Sequence, residues 1–228
     1  MINHRWDISP REAIALQREL AGLVRAEPIG REVLTVAGVD CAFEVTFRTG
    51  GKVLVAAVLC DARTMQVIAT AEVLLPCTFP YVPGLLSFRE APAVIEAVNK
   101  LPTRPDLLMI DGQGLAHPRG TGIASHVGLW LDIPTIGAAK SRLCGHYREP
   151  GYRRGSRCRL LLEDGEGNEK VIGSVVRTRD GVNPIYVSVG HMVTLEEAVA
   201  WTIRCAIASR IPEPLRRAHQ YVTRMKGR

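Results

Sequence analysis

No apolar run in this chain reaches the length needed to cross a bilayer, and its first residues, MINHRWDISP, lack the basic-then-apolar layout of a secretion signal. The expectation is a cytoplasmic protein without a membrane partner. Cys-x-x-Cys pairs are also missing. The six cysteines stand at 41, 60, 77, 144, 158 and 205, several inside apolar runs, which argues for reduced, buried thiols and against disulfides or a zinc site. Without repeats, low-complexity tracts or a linker, residues 1–228 read as a single domain large enough to bury its own core.

What is present is an ordinary globular composition, 46% hydrophobic and 23% charged, with a net charge of +6 that favours a polyanionic partner. Arginines crowd residues 142–159. They recur at 210–228, where Arg216, Arg217, Arg224, Lys226 and Arg228 face a single acid, Glu213. Two basic patches in one chain suit phosphate contacts, although either could be a solvated face.

Ser9, Pro10 and Glu12 open a helix with a hydroxyl cap, proline at the first position and glutamate at the third. The amphipathic run to Val24 packs Ile14, Leu20 and Leu23 inward. Three β-rich runs follow, at 33–43, 52–60 and 66–75, joined closely enough for an antiparallel meander. A proline-rich loop then leads to a helix ending near Lys100. After it come a strand at 107–110, a helix at 124–131 and a strand at 135–138, an alternation that implies parallel strands. Residues 157–162 and 170–177 form a hairpin, 185–189 another strand, and Thr194 with Glu197 caps a helix to Ala208. Pro212 and Pro214 precede a short last helix. The fold class is α/β, a mixed sheet whose three-strand antiparallel meander precedes alternating helix and parallel strand units, with flanking helices.

The segment LLMIDGQGLAHPRGTGI, residues 107–123, carries the chemistry. A buried strand ends on Asp111 and passes into a glycine-rich loop with His117 and Arg119, at the carboxyl end of a strand, where open sheets bind ligands. Its glycines would let the backbone approach a ligand closely, or simply turn the chain. Asp40 interrupts another apolar run, VLTVAGVDCAF, and a buried aspartate there must be paired, hydrogen-bonded or hold a cation. If the two strands are neighbours, Asp40 and Asp111 meet. Glu90, expected where a helix begins, is a third oxygen donor or only a stabilising charge at that helix end. Three acids without cysteine–histidine spacing argue for magnesium or manganese, and a hard ion beside basic patches points to phosphoryl chemistry. Lys140 would add a positive charge to that site, unless it is a surface lysine. His117, His126, His191 and His219 are individually weak signals.

Between residues 79 and 84, prolines on both sides of Tyr81 restrict the backbone. The ring is either held outward, able to wedge into a base stack, or tucked into the core.

Val39-Asp40, PYVPGLLSFRE, DGQGLAHPRGTGIASHVG and PTIGAAKSRLCG, with SVGH at 188–191 and RIPEPLRRAH near the end, resemble the endonuclease V family over nearly the whole chain. The resemblance implies a ribonuclease H-like fold across one endonuclease V domain. It also implies metal-dependent hydrolysis at the second phosphodiester bond 3′ to deoxyinosine, leaving a nick with the lesion in place. By the same resemblance Asp40, Glu90 and Asp111 hold Mg2+, for which Mn2+ substitutes. Lys140 contacts the scissile phosphate, and His219 matches a histidine near the metal in some members. Pro80, Tyr81, Val82 and Pro83 form the strand-separating wedge. Gly84, Leu86, Gly112, His117, Gly122 and Ile123 build the pocket for the flipped base. Cys41, Ala42 and Val82 are the visible departures, all read as peripheral to catalysis. The implied partner of this monomer is DNA containing deoxyinosine, with inosine-containing RNA or single-stranded DNA as further substrates. A non-catalytic module binding nucleic acid through its basic patches is the rival from another class.

Overall fold

A computed structural model describes residues 2–46 and 50–226. Arg228 of the basic tail lies outside the described residues, as do residues 47–49. Eight strands form one mixed sheet in the order β3-β2-β1-β4-β5-β8-β7-β6. The elements run α1 (Pro10–Ala21), β1 (Thr35–Thr46), β2 (Gly50–Asp61), β3 (Val67–Cys77), α2 (Leu86–Asn99), β4 (Leu107–Ile110), α3 (Ile123–Leu131) and β5 (Thr135–Ala139). They continue with β6 (Arg157–Glu163), β7 (Glu169–Val176), β8 (Ile185–His191), α4 (Leu195–Cys205) and α5 (Glu213–Lys226).

The meander forms as expected, β1 to β2 to β3, all antiparallel. Parallel pairing joins β1 to β4 and β4 to β5. Beyond β5 the sheet reverts to antiparallel through β8, β7 and β6, so the parallel alternation spans only the centre. The two-residue period of the central strands sorts the core into layers. Ala37, Val39, Leu108 and Ile110 face α2 and α3 on one side. Val36, Leu107, Met109 and Ile136 face α4 and Leu215 of α5 on the other. β4 is buried on both faces, which is why it reads as an uninterrupted apolar run.

Both expected capping boxes are present, Ser9 with Glu12 and Thr194 with Glu197. Three local expectations fail. α1 stops at Ala21, leaving Leu23 52% exposed rather than packed inward. Pro92 lies inside α2, and Glu90 sits one turn into that helix instead of at its start. Burial of Ala91, Ala93, Val94 and Ile95 outweighs the backbone hydrogen bond that proline removes. The last helix, expected to be short, runs 14 residues with Pro214 in its first turn. It lies on β1 and β2, where Ala218 packs against Val58 and Cys60. A Cβ on Gly38 would overlap the Pro214 carbonyl group, so this close approach requires glycine. Part of the basic tail is neutralised internally, because Glu213 takes Arg216 at 2.5 Å and Arg217 at 2.7 Å. Among the described residues no helix is long and apolar enough to cross a membrane.

Candidate active site

In the sheet Val39 lies level with Ile110, which brings the next residues, Asp40 and Asp111, side by side. The Asp111 amide reaches the Val39 carbonyl at 3.4 Å. Glu90 enters from α2, Lys140 from the end of β5 and His219 from α5. All five line one cavity of about 490 Å³, as do Gly84, Leu86, Gly112, His117, Gly122 and Ile123. Pro80, Tyr81, Val82 and Pro83 stand outside that lining, in the loop leading to Gly84. Tyr81 is 74% exposed, so its ring is presented outward and not tucked into the core. Val82 instead packs inward against the cluster of Phe79, Leu85 and Phe88. Arg89 braces the loop, donating to the Phe79 carbonyl at 3.0 Å and lying over the Phe43 and Tyr81 rings.

The carboxylates are buried and strain against one another. Burial, then the charge of Asp40, pushes Glu90 up to about 7. Asp111 is also raised by burial, a shift that the Lys140 hydrogen bond and charge oppose. Lys140 Nζ is ion-paired with Asp111, and His219 Nδ1 donates to Asp40 at 2.7 Å. Among the described residues no three carboxylate, imidazole or thiol groups stand together as a ready metal-binding cluster; Lys140 and His219 each engage one of the acids. The donor set nonetheless fits a hard divalent ion. It consists of three carboxylates in one cavity whose mutual repulsion a cation would relieve.

Cys41 was read from sequence as peripheral. The structure corrects this: it lines the cavity, and burial followed by the charge of Glu90 raises its thiol well above the ordinary range. Gln17, Ser87, Gln113, Ser141, Arg142 and Leu143 also line the cavity and were not anticipated.

The glycine loop after β4 is shaped by backbone contacts. A Cβ on Gly114 would run into the Val189 carbonyl of β8, and one on Gly122 into the Gln113 carbonyl. The Gly114 amide donates to Ser188 Oγ at 2.8 Å, and the Ala124 amide to the Gln113 carbonyl at 3.0 Å, which starts α3 without a side-chain cap. Both nitrogens of His117 are engaged. Nε2 meets the Gly84 carbonyl at 3.0 Å, and Nδ1 accepts from the Arg119 amide at 3.1 Å. Burial, then the charge of Arg119, pulls this imidazole down to about 4. It is therefore neutral at pH 7, with its proton on Nε2, and contributes shape to the pocket.

A mixed sheet of this order, whose central strands bring buried acids to one cavity, is the arrangement of ribonuclease H-like, metal-dependent nucleases. The comparisons sharpen the class. A family model described as Endonuclease V matches residues 18–220. The endonuclease V of Methanothrix thermoacetophila is 46% identical over 216 residues, covering 95% of this chain and 92% of that protein. The crystal structure of endonuclease V from Streptomyces avermitilis is 43% identical with a TM-score of 0.89, covering 99% of this chain and 96% of that one. An endonuclease V from Ciona intestinalis, crystallised with a 24mer DNA containing an inosine followed by a ribo-adenosine, shares the fold. It has a TM-score of 0.81 at 24% identity, over 95% of this chain and 97% of that one. The chain belongs to the endonuclease V family. It is a deoxyribonuclease that cleaves DNA near deoxyinosine lesions.

Proposed function

We propose that this chain hydrolyses the second phosphodiester bond 3′ to deoxyinosine and leaves a nick with the lesion in place. Asp40, Glu90 and Asp111 would hold the divalent ion, magnesium with manganese as a substitute. The observation that carries this reading is the convergence of three carboxylates from β1, α2 and β4 on one cavity, beside Lys140 and His219.

When bound, the ion neutralises phosphate charge and makes water a better nucleophile. The chain's own groups supply the rest. Lys140, ion-paired with Asp111, would offer its ammonium to a phosphate oxygen and so hold positive charge beside the reacting phosphorus. Water's oxygen bonds to phosphorus and gives up a proton to solvent, the bond to the departing sugar oxygen breaks, and that oxygen takes up a proton. His219, whose imidazole is 59% exposed beside Asp40, is placed to deliver it. Tyr81 enters the base stack from its proline-braced loop. The extruded hypoxanthine occupies the pocket of Gly84, Leu86, Gly112, His117, Gly122 and Ile123, where the lack of amino groups on the base matches a tight backbone wall.

The site residues are carried by one continuous sheet and the helices packed on it, which supports a single domain as the working unit, and we take that unit to act as a monomer. Six free thiols fit a reducing cytoplasm. The test is a gel assay on duplex DNA with one deoxyinosine, with magnesium, manganese or chelator, beside an undamaged control. A metal-dependent nick one nucleotide beyond the lesion on its 3′ side supports the reading. Binding without a nick under either metal overturns it in favour of a binding module. Matched single-stranded DNA and inosine-containing RNA arms define the substrate range, because the 2′-hydroxyl is the chemical difference between the two sugars.

A further inference from the structure

One carbonyl in this molecule is held from three sides. The Gly84 oxygen accepts from Arg119 Nη2 at 2.7 Å, Gln17 Nε2 at 3.0 Å and His117 Nε2 at 3.0 Å. Gly84 has φ +77°, a left-handed conformation that favours glycine, and a Cβ there would press to 2.5 Å from Arg119 Nη2. It is also the junction between the Tyr81 loop and the base pocket. Two of these three anchors, Gln17 and Arg119, are tied to each other. Gln17 Oε1 accepts from Arg119 Nε at 2.6 Å, and Gln17 Nε2 also donates to the Thr121 carbonyl at 3.0 Å. Thr121 Oγ1 returns a bond to the Gln17 carbonyl at 2.9 Å. Gln17 is 1% exposed, so leaving its amide without partners would be costly. Among the described residues Arg119 has no carboxylate partner. Its two directed bonds go to Gln17 and Gly84.

We infer that Gln17 and Arg119 are positioning residues that lock Gly84 between α1 and the loop after β4, fixing the register of the Tyr81 wedge against the base pocket. The inference rests on the proposed wedge and pocket, and it assigns a task in lesion recognition to α1, an element that carries none of the three acids assigned to the metal. Planarity matters here: the guanidinium fork serves two acceptors at once, which a lysine ammonium on a flexible stem does not reproduce. The lock acts on where the extruded base sits and leaves the carboxylate cluster untouched.

The test is steady-state cleavage of a deoxyinosine duplex by the full chain, with wild type, Arg119→Lys, Arg119→Ala and Gln17→Glu. Gln17→Glu keeps the acceptor for Arg119 and removes both amide donors at nearly constant shape, so it stands if Arg119→Ala fails to fold. A 2-aminopurine beside the lesion, read in chelator, reports base extrusion without cleavage. The expected result is a KM raised about tenfold or more with kcat nearly unchanged, no rescue by lysine, and a reduced 2-aminopurine signal. The combined Gln17→Glu and Arg119→Ala variant should lose no more than the worse single change, because the two share one acceptor. Unchanged KM and fluorescence in folded variants, or a loss confined to kcat, overturns the inference. Absence of any nick with wild type defeats the nuclease reading itself, whereas a wild-type nick with unaltered variants defeats only the lock.

Discussion

His219 Nδ1 lies 2.7 Å from Asp40 Oδ2, joining α5 to the middle of β1 across 179 positions of sequence. Asp40 is thereby held by a group that is itself largely open to solvent, so the imidazole can leave or return without rebuilding the core. His219→Ala should slow cleavage by about a hundredfold, the lower end of what a positioned acid contributes, with little change in melting temperature. Asp40→Asn and Asp111→Asn should keep the fold and abolish nicking under either metal. Full activity in either asparagine variant would remove these acids from the metal site.

Glu90 makes metal binding sensitive to pH. Buried beside Asp40, it keeps its proton up to about 7, and a metal must displace that proton to use the carboxylate. Magnesium affinity, followed by calorimetry, should weaken as the pH drops below about 7. Glu90→Gln should bind metal weakly and lose that dependence. An affinity in wild type that is flat across this range would exclude Glu90 as a ligand.

Acid should destabilise the fold through its buried imidazoles. His126 is pulled down to about 3 by burial, then by the neighbouring His4, and His117 to about 4, both from an ordinary 6.5. Below 6.5 the unfolded chain binds protons that the native state refuses, so each histidine removes about 1.4 kcal/mol per pH unit until its own folded value is reached. His191, lowered chiefly by burial, acts in the same sense. Glu90 opposes them: raised from 4.5 to about 7, it favours the metal-free fold as pH falls through that window. Asp111, also raised by burial, acts with Glu90; the three lowered histidines outweigh the two raised acids, so the melting temperature without metal should fall from pH 6.5 towards 4.5. A rising melting temperature over this range would contradict the buried neutral state of the two imidazoles.

Gly38→Ala should be among the costlier single-methyl changes. The added carbon meets the backbone of Pro214 and Leu215 with no flexible side chain to give way, and overpacking of this kind costs roughly 1–3 kcal/mol or more. Because α5 carries His219, cleavage should fall along with the denaturant midpoint. An unchanged midpoint would mean that α5 lies elsewhere.

Tyr81→Ala should separate recognition from chemistry. The ring is 74% exposed, so stability should change by no more than about 0.5 kcal/mol. Magnesium affinity should stay the same while discrimination between lesion and undamaged duplex collapses. Loss of metal affinity in calorimetry would contradict this division of labour.

What could be read in advance followed from local physics. β4 announced itself because a strand buried on both faces has to be apolar throughout, and Asp111 because a charge ending such a run requires a reason. α1 and α4 were legible from their capping boxes. The antiparallel pairing of β6 with β7 was legible as a hairpin, but that of β8 with β5 and β7 was not, since alternation along a strand says nothing about which way its neighbour runs. Pro92 looked like a helix boundary because the packing that holds α2 together around it comes from distant β strands. Gly84, Leu86, Gly112, His117, Gly122 and Ile123 came with the family resemblance and not from any periodicity. Gln17 escaped notice because it is an ordinary polar residue in an amphipathic helix, and its partners Gly84 and Thr121 lie 67 and 104 residues away. Cys41 was missed for the opposite reason: a cysteine in an apolar strand looks like filler until α2 sets Glu90 against it.

The seating of α5 on β1 and β2 bears on how the molecule comes into being. During synthesis β1, β2 and β4 leave the ribosome well before α5, so Val58, Cys60 and the Gly38 groove wait as bare apolar sheet until the last helix arrives. His219 arrives with it. A nascent chain can therefore pair its central strands and assemble the carboxylates, yet the surface that α5 will cover stays open to chaperones or to mistaken partners. Completing the active site and closing that surface are the same late event.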